Sequence, residues 1–122
     1  MPEIAPRNTG QEEFRGMLTI PTEIESRQAT IVVDRKSSAA SVRFDEPVAG
    51  SAEWKSISLT VVELPKYTEI VFVTTGFPKD TIEIIWKLNA NADDETVAGV
   101  AVVRPNQLRV SGEKGFTLVR SD

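Results

Sequence analysis

The residues with the most chemical potential are an acidic run, Asp93-Asp94-Glu95, with Asn89 and Asn91 just before it. Clustered carboxylates and amide carbonyls are oxygen donors of the kind a hard cation takes. The run has no EF-hand ligand spacing and sits in a short polar stretch, Asn89 to Thr96, where Asn and Asp also serve plain turn geometry. A second possibility is a pair of carboxylates flanking a glycosidic bond, with Glu63, Glu69 and Glu83 as the candidates on or beside strands. That chemistry requires two of them to converge in a cleft, and solvated strand faces carry such charges without it. A third set is aromatic: Phe44, Trp54, Phe72, Trp86 and Phe116 either form a core or line a pocket for an apolar ligand.

The chain has no histidine and no cysteine. Thiolate nucleophiles, disulfides, cysteine zinc sites and Ser-His-Asp triads are therefore excluded, along with the commonest general base near neutral pH. No glycine-rich phosphate loop is present, and Gly112-x-x-Gly115 reads as a turn. The net charge of -4, from 14 basic and 18 acidic residues, gives no general grip on nucleic acid or anionic lipid. Basic and aromatic residues do not interleave as a single-strand nucleic-acid platform requires. No apolar run reaches the ~20 residues of a helical membrane span, and Met1 to Gly10 carries no signal-peptide pattern. A cytoplasmic protein and an exported one with its signal removed both fit.

The elements that must position these residues are strands. A chain of 122 residues with 40% apolar and 26% charged content is one domain with a sizeable core. Residues 1–13 read as a polar N-terminal arm, in which Thr9 and Glu12 are spaced as a capping box for one helical turn at Gln11 to Phe14, with an irregular lead-in as the alternative. Residues 14–122 read as a single β domain. Its strands are Phe14 to Ile20, Ala29 to Asp34, Ala40 to Asp45, a short piece at Ala52 to Lys55, Ile57 to Leu64, Glu69 to Thr75, Thr81 to Leu88, Val97 to Val103, Gln107 to Ser111 and Phe116 to Arg120. Strict apolar–polar alternation, as in Ala40-Ser41-Val42-Arg43-Phe44-Asp45, marks a strand with one wet face. Glu69 to Thr75 is apolar on both faces. About eight or nine strands at hairpin spacing, with no crossover helix, predict an antiparallel meander closed into a barrel, with a β-sandwich as the alternative.

Phe14-Arg15-Gly16-Met17-Leu18, the hairpin Ala29 to Phe44, Trp86-Lys87-Leu88-Asn89 leading to Val97-Ala98-Gly99-Val100, and the closing Phe116-Thr117-Leu118-Val119-Arg120 together resemble small bacterial calycin-type domains, relatives of the lipocalins in architecture. The chain departs from that pattern in lacking the glycine before Phe14 and in having no glycine in the hairpin loop after Asn89. The resemblance implies an apolar ligand held inside a barrel, or a barrel that has lost that role; no catalytic residue carries over. The leading expectation is a non-enzymatic barrel that binds a small apolar ligand such as a lipid, with no cofactor and no metal. Ile57, Leu59, Val61, Val71, Val73, Ile84 and Trp86 are expected to face inward and line that site. The competing expectation is an interaction module, a homo-oligomer that covers an apolar outer strand face, motivated by Glu69 to Thr75 and by the outward Ile85.

Overall fold

The computed structural model describes residues 11–21, 24–48, 50–75, 83–91, 95–104 and 113–121. Eight strands follow one another: β1 (Gln11–Thr19), β2 (Ser26–Asp34), β3 (Ala39–Val48), β4 (Ser51–Glu63), β5 (Thr68–Thr75), β6 (Glu83–Ala90), β7 (Thr96–Arg104) and β8 (Glu113–Arg120). Each pairs antiparallel with the next, and β8 returns to β1, so the meander is a closed barrel. Closure removes the two long edges that an open eight-stranded sheet would expose.

The alternation legible in the sequence becomes the inner and outer faces. Phe14, Ile31, Val42 and Trp54 lie opposite one another across β1 to β4 and all are buried. On the other side Ile70 pairs with Leu88, Phe72 with Trp86 and Thr74 with Ile84, again all buried. The outward positions carry exposed ion pairs, Arg15–Asp45 at 2.7 Å and Arg43–Glu53 at 3.0 Å. An apolar inside and a charged outside are the reverse of a membrane-spanning barrel, whose lipid-facing band is apolar. Among the described residues no helix is long and apolar enough to cross a membrane.

Three local features differ from the alternation pattern. Gln11 to Phe14 is not a helical turn: Gln11 to Glu13 pair with Asp34 to Val32 and begin β1, so the ladder with β2 outweighs the local capping signal and the strand starts inside the expected arm. Ala52 to Lys55 and Ile57 to Leu64 are not separate strands, because β4 runs unbroken from Ser51 to Glu63. Within it Ser56 opposes Thr74 but Ser58 opposes Val73, so Ile57 is the extra residue of a β-bulge. The expected strand Gln107 to Ser111 lies outside the described residues.

Small residues on β7 make room for large ones on its neighbours. A Cβ on Gly99 would stand 2.5 Å from Phe116 Cε1 and 2.8 Å from Leu88 Cδ2. The Phe116 ring therefore lies directly on the β7 backbone, which only glycine permits there.

Candidate functional site

The barrel interior is the first place to look for a ligand. Eight-stranded barrels are wide enough either to be filled by side chains or to hold one small ligand. Here Phe14, Ile31, Val33, Val42, Ile70, Phe72, Ile84, Trp86, Leu88 and Leu118 are fully shielded, so no water-sized space touches these side chains. Trp86 is the centre of the packing. Its ring stacks on Phe72 at 6.0 Å between centroids and lies 6.3 Å from Phe116. Its indole N–H donates to the Thr74 hydroxyl at 2.9 Å, and both residues are fully buried. The one polar tip of the aromatic cluster is thus satisfied within the barrel, as a buried tryptophan requires.

The seven expected lining residues divide. Ile84 and Trp86 face inward as expected and are buried. Leu59 and Val61 also face inward, opposite Phe72 and Ile70, and pack on the edge of the core while staying partly exposed. Ile57 does not join them: as the bulge residue it is 59% exposed, because one inserted residue breaks the two-residue period that put it in phase with Leu59. Val71 and Val73 also face outward, opposite Thr60 and Ser58, and are half-buried. A strand apolar on both faces offers no parity, and here Ile70, Phe72 and Thr74 take the inner face.

The carboxylate candidates do not converge. Glu69 pairs with Asn89 near one end of β6 and Glu83 with Thr75 at the other. Glu63 accepts from Arg35 at 3.0 Å, and Glu69 lies 3.8 Å from Lys87. Asp93 and Asp94 lie outside the described residues; Glu95 is exposed and its backbone oxygen accepts from the Arg120 N–H at 2.7 Å. Among the described residues no group of three acidic side chains is placed to hold a metal ion.

A polar cluster that sequence reasoning missed closes one end of the barrel. The Arg120 side chain is 5% exposed and lies over the Phe14 ring at 5.1 Å. It donates to Glu12 Oε2 at 2.9 Å and to the Asn91 carbonyl at 3.2 Å. Arg35 donates to the other Glu12 oxygen at 3.0 Å and reaches on to Glu63. Four charges of alternating sign thus run from β8 through β1 and the β2–β3 turn to the end of β4. The Arg120 Nε has no partner among the described residues. No sequence signal pointed to Glu12 and Arg120 as partners, since they are 108 positions apart.

On the outer surface, a groove of about 330 Å³ crosses β2, β3 and the start of β4. Val32 and Ser41 form its floor, buried although they face out, and Asp34, Arg43, Glu53 and Lys55 stand around them. The hydrogen bond from the Arg43 guanidinium holds the Glu53 carboxyl below its ordinary value against the opposing effect of burial, with a lesser contribution from the Ser41 hydroxyl.

Beyond the groove lies the second half of β4. β3 pairs with β4 only as far as Ser41 opposite Lys55, with the Ala40 N–H then donating to the Ser56 hydroxyl at 3.0 Å. From Ile57 to Glu63 the strand is paired with β5 alone. Trp54 is the sole buried residue among its thirteen. Four of the seven large apolar side chains exposed among the described residues, Ile57, Val62, Leu64 and Tyr67, belong to this half-strand and the turn after it. No protein family, curated protein or solved structure matches the chain.

Proposed function

We propose that the protein is a non-enzymatic β-barrel that acts as a protein-interaction module through its outer surface. The observation that carries this reading is the contrast between the two faces. The interior side chains are spent on one another, with even the Trp86 N–H satisfied by Thr74. The apolar surface left over is outside, on β4 to β6, where Ile57 and Val62 stand beside the half-buried Val71, Val73 and Ile85. Apolar surface gathered in one region is commonly covered by a partner. The eight-stranded meander and the meeting of Phe14 with Arg120, which unites the first and last of the segments that resemble calycin-type domains, favour a barrel of that type that has given up an internal ligand.

The competing reading, a small apolar ligand, keeps one supporting observation: Leu59 and Val61 face inward and are still partly exposed. Native mass spectrometry and organic-solvent extraction of the purified protein separate the two. The interaction reading expects no stoichiometric lipid in the extract and a protein assembly larger than one chain. One equivalent of an apolar small molecule, released together with loss of thermal stability, would overturn it.

A further inference from the structure

We propose that the free edge of β4, at Leu59 to Glu63, takes up an extended acidic segment of another protein as an added strand; this rests on the interaction reading and names the chemistry of the partner. The hydrogen-bond phase of β4 fixes which groups are free. The Leu64 N–H donates to the Tyr67 carbonyl at 2.9 Å. Bonded and non-bonded pairs alternate along an antiparallel ladder, so Val62–Glu69, Thr60–Val71 and Ser58–Val73 are the bonded pairs with β5. Leu59 and Val61 therefore turn their N–H and C=O groups to the other side, which the ladder with β3 does not reach. Among the described residues no backbone group pairs with them there. A row of unpaired strand groups is a template for another strand.

The same phase says what side chains an added strand needs. Residues set opposite Leu59 and Val61 share their inward face, where both are still partly exposed, so apolar side chains there extend the edge of the core. The residues between them lie beside Ser58, Thr60 and Val62 on the outer face, where small polar side chains suffice. The central part of the segment is therefore an alternation of apolar and small polar residues.

Charge selects what flanks that alternation. Ser56 to Val62 carries no charge, and three exposed lysines surround it. Lys55 precedes it and Lys66 stands in the turn that follows it. Lys36 stands in the β2–β3 turn, which Arg35 holds against Glu63 at the end of the strand. None of the three has an ion-pair partner among the described residues. The carboxylates around the edge are already engaged, Glu53 by Arg43, Glu63 by Arg35 and Glu69 by Lys87. A strand laid along the edge thus meets unpaired positive charge at both ends, and carboxylates on either side of its apolar residues complement it. A second copy of this edge, added antiparallel, brings Lys55 to the turn that carries Lys66 and sets like charges together, so the edge disfavours itself.

The test uses a labelled peptide, Glu-Glu-Val-Thr-Val-Thr-Val-Glu-Glu, and the same peptide with lysine in place of each glutamate. Binding to the full chain is read by fluorescence anisotropy and the place of contact by amide hydrogen exchange. The acidic peptide is expected to bind about tenfold more tightly at low salt, with the difference shrinking as salt rises. On binding, exchange at Leu59 and Val61 should slow, while Thr60 and Val62, already bonded to β5, change little. The triple variant Lys36→Glu, Lys55→Glu, Lys66→Glu, verified as folded by far-UV circular dichroism, should reverse the preference. Equal binding of the two peptides, no binding of the acidic one at about millimolar concentration, or binding that leaves Leu59 and Val61 unchanged overturns the proposal. So does slow exchange at Leu59 and Val61 without peptide: independent of protein concentration it means the edge is covered within one copy, and rising with concentration it assigns the edge to a second copy. A partner chain in native mass spectrometry with failure of the peptide test removes this proposal and keeps the interaction reading; a released apolar small molecule with no partner chain ends both.

Discussion

Replacing Thr74 with valine removes one oxygen from the middle of the barrel and almost nothing else. The side chains are nearly the same shape, so Trp86 keeps its contacts with Phe72 and Phe116. What it loses is the acceptor 2.9 Å from its indole N–H. Both residues are fully shielded, so water cannot take the place of the hydroxyl without opening the core. A buried donor left without a partner costs about 1–3 kcal/mol, and swapping a buried hydroxyl for a methyl group returns part of that. The net expectation for Thr74→Val is a loss of about 1–2 kcal/mol, or roughly 3–8 °C in Tm for a domain of this size. Urea unfolding followed by tryptophan fluorescence measures it. The control is a double-mutant cycle with Trp86→Phe, which removes the donor. Once the N–H is gone, Thr74→Val should cost nothing, so the coupling should be about 1–2 kcal/mol. A Thr74→Val protein as stable as wild type, with no coupling to Trp86, would refute the reasoning.

Other substitutions probe the bulge and the charged end. Ile57→Lys should change monomer stability by less than about 0.5 kcal/mol because the side chain is already exposed, whereas Leu59→Lys, two residues on, forces a charge against Phe72 and should cost more than about 2 kcal/mol; equal effects in chemical denaturation would place the bulge elsewhere. Glu12→Ala strands the buried Arg120 guanidinium and should cost about 2–4 kcal/mol, while Glu63→Ala at the exposed end of the same chain of charges should cost less than about 1 kcal/mol. The Glu53 carboxyl, lowered first of all by its hydrogen bond from Arg43, stabilises the fold above its unfolded-state pKa and loses that contribution as pH falls through the folded value. In Arg43→Gln its NMR titration midpoint should therefore rise, and an unchanged midpoint would show that Arg43 is not the cause.

The legible part of the fold is the part written in local periodicity. Ala40 to Asp45 alternates cleanly and Ile84 to Leu88 does so apart from the outward Ile85, and their faces follow from that pattern. The meander and its closure follow from hairpin spacing and the absence of crossover helices. Where parity depends on a neighbouring strand, the sequence is silent. Val71 and Val73 are chemically as suited to the interior as Ile70 and Phe72, and only pairing with β4 and β6 decides between them. Ile57 is misplaced by a single inserted residue that leaves no mark in composition. The Glu12–Arg120 pair joins the two ends of the described chain, and no short-range signal reports on it. The missing partner of β4 is hidden for the same reason, since strand length is local but strand overlap is not.

The seam between β1 and β8 sets the order in which the barrel can form. Every other pairing joins strands adjacent in sequence, so each needs only a short loop to close. The seam has only Phe14–Arg120 and Arg15–Val119 in register, residues more than a hundred positions apart. Closing a segment of that length costs roughly 2 kcal/mol more entropy than closing a ten-residue hairpin. The curled sheet therefore comes first and the cylinder second. Arg120, lying over Phe14 and donating to Glu12, then fastens the seam of the closed cylinder as a latch does.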